Sequence, residues 1–381
     1  MKTKVSLIKC DSYETSKVIE AVNKAVELIG GIEKFVKPGE RILLKPNLLS
    51  ARTPDRAITT HPEVVRAMVR LVRKAGATPI VGDSPGGAIK GVERVWTETG
   101  MKKLSEEEGF QLINFETSGS VERKINHPLL PSIHIAKIIT EVDGIINLPK
   151  LKTHGLMIYT GAIKNLYGTI PGMRKAEYHK IVPHPDDFSH LLDEIYLQVK
   201  DKLRFSLVDG IMGMEGNGPS SGDKRKLDMI LACGDSVMLD LAITGILGLS
   251  VKKIESINYL YKKLNDKNNP ATYEIVGNKP SEFDVSGFKF PSTWYVRLVP
   301  RWLIKLLGGL LWLKPQIIKT SCINCKLCSN SCPVQAILNG GKEKPWVVHE
   351  KCISCLCCHE LCPVDSIELQ KSFIVRLIAR D

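Results

Sequence analysis

The stretch Cys322-Ile-Asn-Cys325-Lys-Leu-Cys328-Ser-Asn-Ser-Cys332-Pro333 returns thirty residues later as Cys352-Ile-Ser-Cys355-Leu-Cys357-Cys358-His-Glu-Leu-Cys362-Pro363. Both runs have the spacing C-x2-C-x2-C-x3-C-P, which is the bacterial iron–sulfur run. A zinc site would use two pairs of thiolates and would leave the third Cys and the repeated Cys-Pro without a reason. The spacing therefore predicts two 4Fe-4S clusters, with Cys322, Cys325, Cys328, Cys332, Cys352, Cys355, Cys358 and Cys362 as ligands. Cys357 aligns with Leu327, which is not a ligand position, and reads as a spare thiol beside the second cluster. The alignment continues from Ala336-Ile337 to Ser366-Ile367, so the segment should fold with pseudo-twofold symmetry.

The other 320 or so residues must be read outward from these clusters. A chain of 381 residues allows two or three domains and a substantial core. Its 43% hydrophobic and 25% charged residues are ordinary for a globular protein. Of the 11 cysteines, nine lie between 322 and 362, at ligand rather than disulfide intervals. Cys10 and Cys233 are expected to be small buried hydrophobes. Eight thiolates kept for iron point to a reducing, low-oxygen cytoplasm. Met1–Lys9 holds no apolar run of signal-peptide length, and no stretch of about 20 uncharged apolar residues predicts a spanning helix. The formal charge is +12. An oxidised cluster with four thiolates contributes −2, so two clusters leave about +8. A basic surface suits an anionic substrate or lipid. No zinc finger, RNA-recognition signature or Lys/Arg block is present, so nucleic acid is not expected.

Residues 1–285 alternate strand and helix signals. Strands are expected at Val5–Lys9, Arg41–Lys45, Thr78–Asp83, Phe110–Glu116, Val121–Asn126, Gly144–Leu148, Phe205–Val208, Met229–Cys233 and, at an edge, Tyr273–Val276. Helices are expected at Ser16–Ile29, from His61-Pro62 to Ala75 with Thr60 as N-cap, within Gly91–Glu108, at Ile135–Glu141, Val237–Leu247 and Ile254–Leu264. This alternation predicts an α/β fold, a mostly parallel doubly wound sheet covered on both faces. Ligands of such sheets bind outside the carboxyl ends of the strands. The segments there carry Lys45-Pro46-Asn47, Gly82-Asp83-Ser84, Asn147-Leu-Pro-Lys150-Leu-Lys152-Thr-His154 and Asp209-Gly210. Caps and turns account for single Asp or Ser residues. They account less well for lysines, which only donate. Gly161-Ala-Ile-Lys164-Asn165 adds a Lys and an Asn among small and apolar residues. The glycine-rich run from Asp209 through Glu215 to Gly222 matches no nucleotide motif and reads equally as an anion-binding or a flexible loop.

Residues 286–318 form a separate segment. Lys289–Lys319 has six Lys/Arg, no acid, and Trp294, Trp302 and Trp312. It is expected to be a helical connector docking the last domain, 319–381, onto the first. The alternative is peripheral contact with a membrane interface, lysines outward and tryptophans at headgroup level.

The C-terminal stretch resembles bacterial two-4Fe-4S ferredoxins. The resemblance implies low-potential one-electron transfer, and it implies that the fourth Cys of each run serves the other cluster. One set is then Cys322, Cys325, Cys328 and Cys362, and the other Cys352, Cys355, Cys358 and Cys332. Lys45-Pro46-Asn47, Thr59-Thr60-His61-Pro62, Gly82-Asp83-Ser84, Leu148-Pro-Lys-Leu-Lys-Thr-His154, Lys164-Asn-Leu-Tyr-Gly168 and Asp209-Gly-Ile211 with Gly213-Met-Glu-Gly216 resemble the family called domain of unknown function 362. That resemblance covers roughly residues 1–280, and the family is often fused to such a ferredoxin.

These readings converge on a ferredoxin-linked reductase of a small anionic substrate, served by a redox partner protein. Lys45, Lys150, Lys152 and Lys164 would bind the anion. Asn47, Asn147 and Asn165 would orient it, with Asp83 and Glu215 alongside. His154 or Asp209 would donate the proton. The alternatives are an electron carrier without catalysis, and an accessory factor in cofactor or metal-centre assembly.

Overall fold

A computed structural model describes residues 2–86, 91–155, 157–172, 174–182, 184–264, 271–291, 313–341 and 343–372. The strands, in order, are β1 Thr3–Lys9, β2 Arg41–Pro46, β3 Thr78–Asp83, β4 Gln111–Asn114, β5 Ser120–His127, β6 Leu130–Ala136, β7 Gly144–Leu148, β8 Lys150–His154, β9 Ile158–Thr160, β10 Leu203–Glu215, β11 Asp223–Cys233 and β12 Tyr273–Gly277. A further four, β13 Leu313–Ile317, β14 Ile337–Leu338, β15 Trp346–Val347 and β16 Ile367–Lys371, belong to the C-terminal domain.

One sheet has the order β12-β1-β11-β10-β7-β2-β3-β4, with β8 on β10 and β9 on β8. From β10 to β4 every pairing is parallel, and β11 runs antiparallel to both of its neighbours. The expected mostly parallel sheet is present. Strand β2 shows why it is covered on both faces. Leu43 packs into one core, while Ile42 and Leu44 pack into the other. Period-two alternation of apolar side chains on a buried strand demands a layer on each side. Helix Pro62–Lys74 supplies part of one layer through Val64, Val65, Met68 and Val72. Helices Pro185–Val199 and Ser236–Ile246 supply part of the other.

The structure departs from the expectations in four places. The N-cap of helix Pro62–Lys74 is His61, whose Nδ1 accepts from Glu63 N at 3.2 Å. Thr60 instead ties two strand ends together, accepting from Asn47 N at 2.8 Å and donating to Leu148 O at 2.6 Å. Residues 120–136 form the hairpin β5–β6, so helix starts only at Ile138. The segment Lys150–His154 is a strand rather than a loop, and its Lys-Leu-Lys-Thr-His alternation is the signal for that. The first half of the glycine-rich run, Asp209 to Glu215, is strand as well. A Cβ at Gly213 would lie 2.6 Å from Leu227 Cδ1, so that glycine admits a neighbouring strand.

In the C-terminal domain β13 pairs with β16 and β14 with β15, both antiparallel, around Cys328, Ile337, Cys358, Cys362 and Ile367. β13 begins within the stretch expected as connector. The centre of that connector, residues 292–312, lies outside the described residues. Among the described residues no helix is long and apolar enough to cross a membrane.

Candidate functional site at the domain junction

The eight cysteines expected as ligands fall into two groups. Cys322, Cys325, Cys328 and Cys362 line one cavity, closed by Ile317 and Ile367, with about 320 Å³ of empty space. Burial pushes the Cys328 thiol up to about 11, and the nearby thiols of Cys325, Cys362 and Cys322 add to this. Burial raises the Cys358 thiol, and the thiols that add to this are Cys355 and Cys352 of its own run, then Cys328 and Cys332. No cysteine is in a disulfide. Among the described residues no three His, Cys, Asp or Glu close on a point suited to a single metal ion. Four cysteines around one cavity are the donor set that a 4Fe-4S cluster takes.

The backbone carries the repeat. Left-handed residues recur at Asn324, Lys326 and Gln335 and again at Ser354, Leu356 and Asp365, with φ between 51° and 63°. They turn amides toward sulfur. Ala336 N donates to Cys332 Sγ and Ser366 N to Cys362 Sγ, each at 3.2 Å, and Ser354 N donates to Cys352 Sγ at 3.4 Å. Such bonds favour thiolate and help set a cluster's potential.

At the carboxyl edge of the large sheet the polar side chains separate into three layers. The innermost holds two buried ion pairs. Lys45 Nζ lies 2.8 Å from Asp83 Oδ1, and Lys150 Nζ lies 2.9 Å from Asp209 Oδ2. Burial pulls both lysines below their usual range, and the paired carboxylates oppose it. Gly168 permits the first pair. A Cβ there would meet Asp83 Oδ1 at 2.2 Å and Lys45 Nζ at 2.6 Å. The second pair is closed by Tyr13, whose hydroxyl donates to Asp209 Oδ1 at 2.8 Å and accepts from Lys150 at 2.6 Å.

The middle layer is a chain of amides. Lys152 Nζ donates to Asn47 Oδ1 at 2.8 Å, Asn47 Nδ2 to Asn165 Oδ1 at 2.9 Å, and Asn165 Nδ2 to Asn147 Oδ1 at 2.8 Å. Asn147 Nδ2 then donates to Ala162 O at 2.9 Å and Ser206 Oγ at 3.0 Å. The amide orientations follow from this network. Each amide uses both ends, so the chain fixes Asn47 and Asn165 where they meet the outer layer.

The outer layer is a cleft with about 860 Å³ of empty space, walled by both domains. From the α/β body come Asn47, Asp83, Lys152, His154, Lys164 and Asn165, with Thr160, Lys175 and His179. From the C-terminal domain come Ser331, Cys357 and Leu361. Lys152, His154 and Thr160 share one face of the β8–β9 pair, because Lys152 is opposite Thr160 and His154 is two residues on. His154 Nδ1 accepts from Met157 N at 3.2 Å, so the neutral ring carries its proton on Nε2. Burial pushes Lys175 down to about 8. Its amine donates to Ser84 Oγ at 2.6 Å and Pro85 O at 2.9 Å, which ties the segment after β3 to helix Arg174–Ile181.

Asn47, Asp83, Lys152, His154, Lys164 and Asn165 therefore meet in one cleft. Lys45 and Asn147 support it from beneath. Asp209, Lys150 and Glu215 do not line it. Asp209 is fully buried and takes hydrogen bonds from Tyr13, Lys150 and His61 N, so it is a strut rather than a proton donor to the cleft. Glu215 caps the end of β10, accepting from Lys289 N at 3.1 Å.

Comparison with known proteins agrees with this division. Residues 42–245 match the family described as "Domain of unknown function (DUF362)", and residues 316–369 match a "4Fe-4S dicluster domain". The chain belongs to the DUF362 family. It is 35% identical over 295 residues to the thylakoid-associated protein sll1697 of Synechocystis sp., across 76% of this chain and 88% of that protein. A solved structure, the lactate racemase apoprotein from Thermoanaerobacterium thermosaccharolyticum, aligns at 14% identity over 65% of this chain and 57% of its own, with a TM-score of 0.41. Its likeness is too slight to bear on function. The dicluster domain makes this DUF362 chain an iron–sulfur protein suited to electron transfer, with two 4Fe-4S clusters by domain type.

Sequence reasoning missed Lys175, Thr160 and Tyr13. Lys175 sits in the short polar helix Arg174–Ile181, which has no apolar stripe to mark it. Thr160 Oγ1 is buried on the cleft wall with no hydrogen-bond partner among the described residues. An orphaned hydroxyl of this kind is a ligand signal that only coordinates reveal.

Proposed function

We propose that this DUF362 chain is a ferredoxin-linked reductase whose small anionic substrate binds in the junction cleft. The observation that carries the reading is the shared wall. Lys152, His154, Lys164 and Thr160 face the same space as Ser331 and Cys357, the residues immediately before ligands Cys332 and Cys358 of the second set. When bound, the clusters supply single electrons at low potential. The chain's own groups do the rest. Lys164 and Lys152 attract and orient the anion, Thr160 offers its unused hydroxyl, and His154 holds a proton on Nε2 for delivery to the reduced product. An electron-donor protein meets the first set, where Cys325 is exposed beside Ile323 and Val364, which are 58% and 38% exposed. The relative's description as thylakoid-associated supports a peripheral membrane contact through residues 289–319.

The test is anaerobic reconstitution followed by calorimetric titration with carboxylic acids and phosphorylated metabolites, in wild type, Lys164→Ala and Thr160→Val. Binding that both variants weaken, with substrate reoxidising the dithionite-reduced chain, supports the reading. Absence of any ligand, or equal affinity in all three, removes it.

A further inference from the structure

The two cysteine runs are near copies, but among the described residues the α/β body forms ion pairs with only one of them. After the fourth cysteine, the first run reads Cys332-Pro-Val-Gln335-Ala-Ile and the second Cys362-Pro-Val-Asp365-Ser-Ile. The turns match, with φ of 52° at Gln335 and 51° at Asp365. The substitution of Asp for Gln breaks the symmetry. Arg52 Nη2 lies 2.7 Å from Asp365 Oδ1, and Arg56 Nη2 lies 2.9 Å from Asp365 Oδ2. Ser221 Oγ donates to Asp365 Oδ1 at 3.4 Å. Arg52 Nη2 also donates to the backbone oxygen of Cys362 itself. The side chains of Arg52 and Asp365 are 9% and 32% exposed, so this contact is half-buried.

We propose that Arg52 couples the seating of the dicluster domain on the α/β body to the reduction potential of the cluster held by Cys322, Cys325, Cys328 and Cys362. Two guanidiniums and one carboxylate leave a net positive charge beside one ligand of that set. A one-electron reduction there adds a negative charge, which the seated Arg52 stabilises; the same charge in an undocked domain faces water. Net charge, hydrogen bonding and exposure are the levers that set such potentials. Linkage makes the effect reciprocal: seating raises that potential, and reduction tightens seating by the same factor. The same contact chooses between two pseudo-equivalent orientations, because Gln335 offers no carboxylate to Arg52. It thereby turns Cys357 and the second set toward the cleft.

The experiment is an anaerobic redox titration of the reconstituted full chain with dithionite and mediators, followed by electron paramagnetic resonance so that the two clusters are resolved. Arg52→Gln should lower one midpoint potential and leave the other in place, and Arg52→Lys should restore most of the shift. Arg56 is 47% exposed, so Arg56→Gln should fold normally and give a smaller downward shift. Unchanged potentials in Arg52→Gln and Arg56→Gln, or equal movement of both clusters, would overturn the proposal.

Discussion

Replacing Lys45 by methionine should unfold more of this protein's margin than any surface change. Lys45 is fully buried and Asp83 nearly so, and their charged atoms are 2.8 Å apart. Methionine fills much of the lysine volume, so the change is mainly electrostatic. Asp83 is left in the cleft wall with Leu48 N, at 2.8 Å, as its remaining hydrogen-bond donor among the described residues. Removing one partner of a buried pair costs about 3–5 kcal/mol, because the survivor is an uncompensated buried charge. That is a large part of a typical stability of about 5–15 kcal/mol. Asp83→Leu alone should cost a similar amount by stranding the Lys45 amine. The double variant strands neither charge, so its cost should fall short of the summed singles by about 3 kcal/mol or more. Urea unfolding of all four proteins, followed by far-ultraviolet circular dichroism, completes the cycle. Gly168→Ala is an independent route to the same pair, since its Cβ would intrude 2.2 Å from Asp83 Oδ1. Additivity within about 0.5 kcal/mol would refute the coupling and, with it, the pair's role as a strut beneath the cleft.

Three other outcomes are expected. Asp193 has neither carboxylate oxygen partnered among the described residues, and burial pushes its pKa up to about 9 from 3.8. The folded state then keeps a proton that the unfolded chain releases, so this group's contribution is full below about pH 4 and is lost as pH rises toward 9, by at most about 1.4 kcal/mol per pH unit. Asp193→Asn should flatten urea stability measured across this window, and an unaltered pH slope would contradict it. Cys357→Ala should retain about eight irons per chain after anaerobic reconstitution, whereas Cys358→Ala should lose iron; equal loss would make Cys357 a ligand. Flotation with anionic liposomes should show salt-sensitive association through residues 289–319, and its absence would favour a purely docking role for that stretch.

The legibility of each feature tracks the distance over which its residues act. The cysteine sets were readable because each run lies within eleven residues and its spacing is dictated by a cluster's size. Strands such as Arg41–Pro46 were readable from apolar runs, and the helix from Pro62 from its proline and its apolar face. The local errors came where two local signals competed. Lys150–His154 looked like a polar loop because lysines dominate it, although its period-two alternation was a strand signal. Glycines at 210 and 213 looked flexible, although they accommodate close strands. Lys150 and Lys152 show the limit most clearly. They are two residues apart and share one face of β8. Yet one is spent on Asp209 and Tyr13, and the other reaches Asn47 at the cleft.

The amino-acid sequence by itself determined the iron–sulfur chemistry, the α/β class and the family, because ligand spacing and hydrophobic period are properties of short segments. Only the tertiary structure decided which polar residues form a site. Asn47 meets Asn165 across 118 residues, and Arg52 meets Asp365 across 313. No local pattern constrains such partners. They are chosen by the strand order that places β2, β3, β7 and β8 ends side by side, and by a single Asp that seats one face of a pseudo-symmetric domain over them.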